Sequence, residues 1–160
     1  MKKKISKKNN SKFEKELKNK TVLITGGAGS VGKILTKRML SCSVKSVRVL
    51  DTDEHALFKL GREVKSSKLR LLLGSILDQD RVNMAANNVD IIIHCAAIKN
   101  IEISEYNPIE TINTNVNGTV NLIKAAINNA PIKFLNISTD KAAEPSTIYG
   151  TTKQLSEKTI

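Results

Sequence analysis

The chain has 160 residues, 40% hydrophobic and only 3% aromatic, enough for one domain with a mainly aliphatic core. Its formal charge is +11, but nine lysines against Glu14 and Glu16 fall within residues 1–20, so the excess belongs mainly to a leader. That leader lacks the apolar segment of a signal peptide, no run reaches the roughly 20 apolar residues of a membrane span, and Cys42 and Cys95 form neither a disulfide framework nor a metal-ligand spacing.

In chain order, residues 1–20 read as a flexible, solvated, lysine-rich tail. They hold no arginine and no pattern of aromatics, so no nucleic-acid partner is expected. Thr21–Thr25 then reads as a strand. Ser30–Ser41 reads as a helix with Val31, Ile34, Leu35 and Met39 on one face. Ser46–Leu50 is a second strand, and Asp53–Lys65 a helix with Asp53 as its N-cap. Lys68–Leu73 is a third strand, followed by a short helix over Asp78–Ala86 capped by Asp78. Val89–Cys95 is a nearly continuous apolar run, as expected of a strand covered on both faces. A loop through Asn107 and Pro108 leads to a long helix near Ile109–Asn129. Ile132–Ile137 is the fifth strand, and a last helix starts near Tyr149 and runs to the end.

Strands alternating with helices predict an α/β domain over 21–160, a Rossmann-type, doubly wound parallel sheet of about five strands. The chain stops at Ile160 inside a predicted helix, which reads as a fragment ending before a further lobe.

The first strand runs into Thr25-Gly26-Gly27-Ala28-Gly29-Ser30-Val31-Gly32. Gly26, Gly29 and Gly32 suit a tight turn, close approach of backbone to a pyrophosphate, and close helix–strand packing. Ser30 and Val31 open the helix, whose free amides and positive dipole end favour phosphate. Asp51 ends the second strand, where a carboxylate can accept from ribose hydroxyls and would repel a 2′-phosphate. These features predict an NAD(P) site with NAD favoured.

Ser138-Thr139-Asp140-Lys141 follows the fifth strand, at the sheet end where such folds bind ligands. Tyr149 and Lys153 are one helical turn apart on one face. A lysine ammonium favours a nearby phenolate, so Tyr149 is a candidate base for a sugar hydroxyl. Thr139 is a candidate second contact to the same oxygen.

The stretches TVLITGGAGSVG (21–32), LDTDEHALF (50–58), HCAAIKNIEISEYNP (94–108), TNVNGT (114–119) and STDKAAEPSTIYGTTK (138–153) carry a resemblance. The chain resembles extended short-chain dehydrogenases/reductases of the polysaccharide-biosynthesis group, in particular UDP-N-acetylglucosamine 4,6-dehydratases and related epimerases. The resemblance implies a cytoplasmic enzyme of UDP-sugar modification, homo-oligomeric at full length, whose relatives run well beyond this chain into a lobe that holds the uridine diphosphate. It implies that His94, Ala96 and Ala97 border the cofactor cleft, with Lys99 at its mouth. Asn115 pins the active-site helix beside the cofactor, and Ser75 and Ile76 lie at the adenine end, Ser75 replacing the family's aspartate. It further implies that Thr139, Tyr149 and Lys153 oxidise the sugar, while Asp140 as a protonated acid and Lys141 as a base carry out the dehydration. A 4-epimerase would need Tyr149 and Lys153 but no such pair. A non-catalytic dinucleotide-binding module is the reading from another class.

Overall fold

The computed structural model describes residues 7–131 and 133–160, with side chains from residue 12 onward. Residues 1–6 of the leader and Ile132 of the fifth predicted strand lie outside the described residues.

Five strands form one parallel sheet: β1 (Thr21–Thr25), β2 (Ser46–Asp51), β3 (Leu69–Leu73), β4 (Ile91–His94) and β5 (Lys133–Asn136). Their order is β3-β2-β1-β4-β5, so the direction of travel reverses beside β1 and opens a crevice at the carboxyl ends of β1 and β4. Alternate residues of the strands feed two cores. Val22, Ile24, Val47 and Val49 pack toward α2 (Ser30–Leu40) and α3 (Glu54–Val64). Leu23, Leu50 and Ile92 pack on the other face toward α4 (Gln79–Ala86) and α7 (Gly118–Asn129). Helices on both faces explain why β1 is buried at every position.

Local signals fix the helix starts. Asp53 accepts from the Ala56 amide and Asp78 from the Arg81 amide, each satisfying a first-turn donor. Thr147 does the same for α8 (Ile148–Lys158), accepting from Gly150.

Four expectations need correction. Within the leader read as flexible, Lys7–Leu17 forms α1. Leu17 is 4% exposed in the core, the Asn19 amide donates to the Ser43 carbonyl, and Glu16 pairs with Lys133 at 2.6 Å. The domain therefore begins before residue 21, because one leucine at the end of a charged helix finds a core site. On α2 the inward side is Gly32, Thr36 and Met39, while Val31 and Ile34 are exposed. Small residues let the helix lie against the glycine turn, and that close contact outweighs burying two larger side chains. The segment before Pro108 is a short helix, α5 (Ile101–Tyr106), capped by Asn100, which accepts from Ile103. The long helix is α6 (Pro108–Ile112), then a π-helical turn over Asn113–Asn117, then α7. Such wide turns concentrate at functional positions.

Candidate active site

A cleft of about 500 Å³ lies at the carboxyl ends of β1, β2 and β4. The glycine turn forms its floor. Gly26 has φ of 63°, and a Cβ there would lie 2.6 Å from the Ala96 nitrogen. A Cβ on Gly32 would collide with the Gly26 carbonyl oxygen. Glycine is required at both positions, at the first for backbone sign and close approach, at the second for close approach alone. Gly29 is the N-cap of α2, and no side chain caps that helix, unlike α3 and α4. Its first-turn amides, including those of Ser30, Val31 and Gly32, face the cleft uncapped, which suits a phosphate.

Asp51 lines the same cleft. Its Oδ2 accepts from the Ala28 amide at 3.0 Å and its Oδ1 from the Asp53 amide at 3.2 Å. The carboxylate thus ties the glycine turn to the end of β2 and keeps lone pairs for a ligand. Gly74, Ser75 and Ile76 form one wall, and Cys95–Lys99 another. Ser75 accepts from the Leu77 amide at 3.1 Å, leaving its hydroxyl proton free to donate.

Tyr149 and Lys153, one turn apart on α8, close the cleft. Lys153 is 3% exposed, and burial pushes its ammonium below the ordinary lysine value. Burial also pushes the neighbouring Cys95 thiol up to about 11, so it is uncharged. The packing of α8 explains these positions. A Cβ on Gly150 would meet the Lys141 carbonyl, so the turn after β5 lies directly against the helix.

A buried polar chain lies behind the cleft. The Thr119 hydroxyl donates to the Asn115 carbonyl at 2.7 Å, so its oxygen accepts from His94 Nε2 at 3.0 Å. The Thr25 hydroxyl then donates to His94 Nδ1 at 2.6 Å. His94 is therefore the neutral Nε2–H tautomer. Burial, with the Lys153 charge, pushes its pKa down to about 3. Asn115 sits at the π turn. Its amide accepts from Ile98 N at 2.8 Å and donates to Ile98 O at 2.9 Å and to Thr152 at 3.0 Å. Ser156 of α8 donates to its carbonyl at 2.6 Å. The wide turn presents this one side chain to both the loop after β4 and the helix carrying Tyr149 and Lys153.

The cleft gathers Gly26, Gly29, Ser30, Val31, Gly32, Asp51, Ser75, Ile76, Ala96, Ala97, Lys99, Tyr149 and Lys153. It does not include Asn115, whose side-chain groups are spent on Ile98 and Thr152 in the interior, so it is a positioning residue. His94 likewise lies beneath the cleft. Thr139, Asp140 and Lys141 are also outside its lining. The Thr139 oxygen caps a short 3-10 turn over Asp140–Ala142, and its proton goes to Asp140 at 3.0 Å. Asp140 is exposed, and the Thr139 hydroxyl and the Lys141 ammonium hold its carboxyl below the usual range. That is the opposite of a protonated acid. Lys141 stands 3.5 Å from it, also exposed.

Cys95, Ile98, Thr114 and Ser138 line the cleft without having been expected there. The available signal was position: Cys95, Ile98 and Ser138 follow the carboxyl ends of β4 and β5. Among the described residues no group of three or more His, Cys, Asp or Glu could hold a metal ion.

Residues 22–160 match the family described as polysaccharide biosynthesis protein. A UDP-N-acetylglucosamine 4,6-dehydratase (inverting) of Campylobacter jejuni is 39% identical over 140 residues, covering 87% of this chain and 42% of that protein. A UDP-glucose 4-epimerase of Rickettsia prowazekii is 37% identical over 144 residues, covering 88% and 42%. The solved structure of Pen from Bacillus thuringiensis superimposes with a TM-score of 0.86 at 40% identity, over 89% of this chain and 44% of that one. The chain thus spans about 42% of the length of the curated relatives it matches.

Proposed function

The chain belongs to the polysaccharide biosynthesis protein family, and we propose that it carries the dinucleotide-binding and proton-transfer part of an NAD-dependent enzyme that modifies a UDP-linked N-acetylhexosamine, most directly by 4,6-dehydration. The observation that carries this reading is the convergence on one cleft of an uncapped glycine-turn helix, Asp51, and the Tyr149–Lys153 pair. Gly26 and Gly32, where a Cβ would strike the Ala96 and Gly26 backbone, keep the turn tight enough for its amides to meet a pyrophosphate. The amides of Ser30, Val31 and Gly32 would hold it. Asp51 would accept from the adenosine ribose hydroxyls and repel a 2′-phosphate, which favours NAD over NADP. Held by the glycine turn, Asp51 and Lys153, the dinucleotide would supply a reversible hydride acceptor for the sugar C4.

The chain's own residues handle protons. Lys153, buried at the cleft one turn from Tyr149, would hold the nicotinamide ribose. Tyr149 takes the proton of the C4 hydroxyl as that carbon becomes a ketone. For dehydration, substrate would have to part the Asp140–Lys141 pair, so that Lys141 gives up a proton before taking the one on C5 and Asp140 takes one up before passing it to the departing C6 hydroxyl. We place this chemistry in the cytoplasm, in line with two unpaired cysteines, and in a homo-oligomer.

A second reading, 4-epimerisation, is favoured by one observation: Asp140 and Lys141 lie outside the cleft lining and pair with each other at 3.5 Å. Incubation with UDP-N-acetylglucosamine and NAD, followed by proton NMR of the sugar, separates the readings. A 6-deoxy-4-keto product supports dehydration, and the 4-epimer would replace it with the second reading. Dinucleotide binding with neither product would leave a non-catalytic binding module.

A further inference from the structure

The end of the sheet opposite the cleft is a lysine base. In register, Lys20 precedes Thr21, Lys45 precedes its partner Ser46, and Lys68 lies beside Ser46 as the residue before Leu69. Lys133 opens β5 opposite Ile91. Four of five strands therefore begin at a lysine, in a row roughly 19 Å wide at the usual strand spacing. Lys45, Lys68 and Lys133 are exposed. Asp90 and Glu16, the acids that meet this row, are taken up by Lys20 at 3.0 Å and Lys133 at 2.6 Å. Cross-strand neighbours Arg48 and Arg70 carry positive charge onto the adjoining face, around a shallow cleft shared with Lys45. Helix α1 ends at this same base, and its exposed Lys12 and Lys15, with Lys18 just beyond it, extend the row.

We propose that this base, with the exposed lysines at the end of helix α1, forms a docking surface for an anionic phospholipid bilayer. Its charge is nearly all lysine, a compact cation that meets phosphates singly. Residues 1–20 contain no arginine, and their one aromatic, Phe13, lies against Arg38 at 5.8 Å from its guanidinium. Arginine forks and stacked aromatics are the means by which proteins read nucleic acids, and the leader offers neither. Polybasic segments bind anionic leaflets through summed, salt-screened attraction. Docked this way, the molecule turns its cleft away from the bilayer and leaves it open to soluble ligands.

The test is co-sedimentation of the whole chain with vesicles of phosphatidylcholine alone and of phosphatidylcholine with about 30% phosphatidylserine, at about 0.1 and 0.5 M salt. The expected result is binding only to the anionic vesicles at low salt, lost at high salt. Replacing Lys12, Lys15 and Lys18, all exposed, with Gln should weaken it at least about tenfold. Lys45→Gln with Lys68→Gln should weaken it further at an unchanged Tm. No binding to anionic vesicles, equal binding to neutral ones, or tighter binding to a single-stranded 20-mer oligonucleotide at the same salt would overturn the proposal.

Discussion

At the scale of single residues the account turns on backbone room and on one proton. Gly32 has no space for a methyl group against the Gly26 carbonyl. Gly32→Ala is expected to cost about 2 kcal/mol or more, read as a lower urea midpoint, and to abolish dinucleotide binding. His94 is neutral in the folded chain, with a pKa near 3 against an ordinary 6.5. Below pH 6.5 the unfolded chain gains a proton that the folded chain refuses. Stability is therefore fully present above pH 6.5 and is lost as pH falls toward 3, by about 2 kcal/mol between pH 6.5 and 5. Urea melts at those two pH values check this, and His94→Gln should flatten the dependence. The nitrogen NMR spectrum should show His94 protonated at Nε2 and constant from pH 5 to 8. Titration of His94 within that range would refute the buried chain from Thr25 to Asn115.

At the scale of elements, the loop after β4, the π turn and α8 move as one unit because Asn115 binds all three. Asn115→Ala leaves the Ile98 amide and carbonyl without their side-chain partner and takes from the Thr152 hydroxyl the donor it accepts from, leaving its bond to the Tyr149 carbonyl. A loss of about 2–3 kcal/mol is expected, with weaker dinucleotide binding because Ala97, Ile98 and Lys99 loosen at the cleft wall. Helix α1 gives a second test. Leu17→Ala should destabilise by about 2–4 kcal/mol if the helix is docked, and by nothing if it is a free leader. Much of this level was legible in the sequence. Asp53 and Asp78 announced their helices, and the apolar runs located all five strands within about two residues. The misses have local causes. Asn100 is a cap for α5 no less than Asp53 is for α3, but the short helix behind it carries no apolar periodicity. The π turn leaves no mark on a helical pattern, because it adds one residue to a turn rather than breaking it. On α2, periodicity chose Val31 and Ile34 for the core, and steric contact with the glycine turn chose Gly32 and Thr36.

At the scale of the whole molecule, the parallel sheet sorts function by its two ends. The carboxyl ends bring together the glycine turn, Asp51 and the Tyr149–Lys153 pair, which are separated by over a hundred residues of sequence. Gly26, Asp51, Ser75 and Ala96 could be brought to one cleft from the sequence because each lies at a strand's carboxyl end. Thr139, Asp140 and Lys141 follow β5 as expected but lie outside the cleft lining, where the turn satisfies Thr139 and Asp140 within itself. The amino ends carry the lysine base, visible only when register sets separate lysines side by side. The central claim is that the cleft holds NAD. Isothermal titration of the chain with NAD and with NADP tests it most directly. NAD should bind at least about tenfold more tightly than NADP, because Asp51 accepts from ribose hydroxyls and repels a phosphate. Binding of neither dinucleotide would contradict the account.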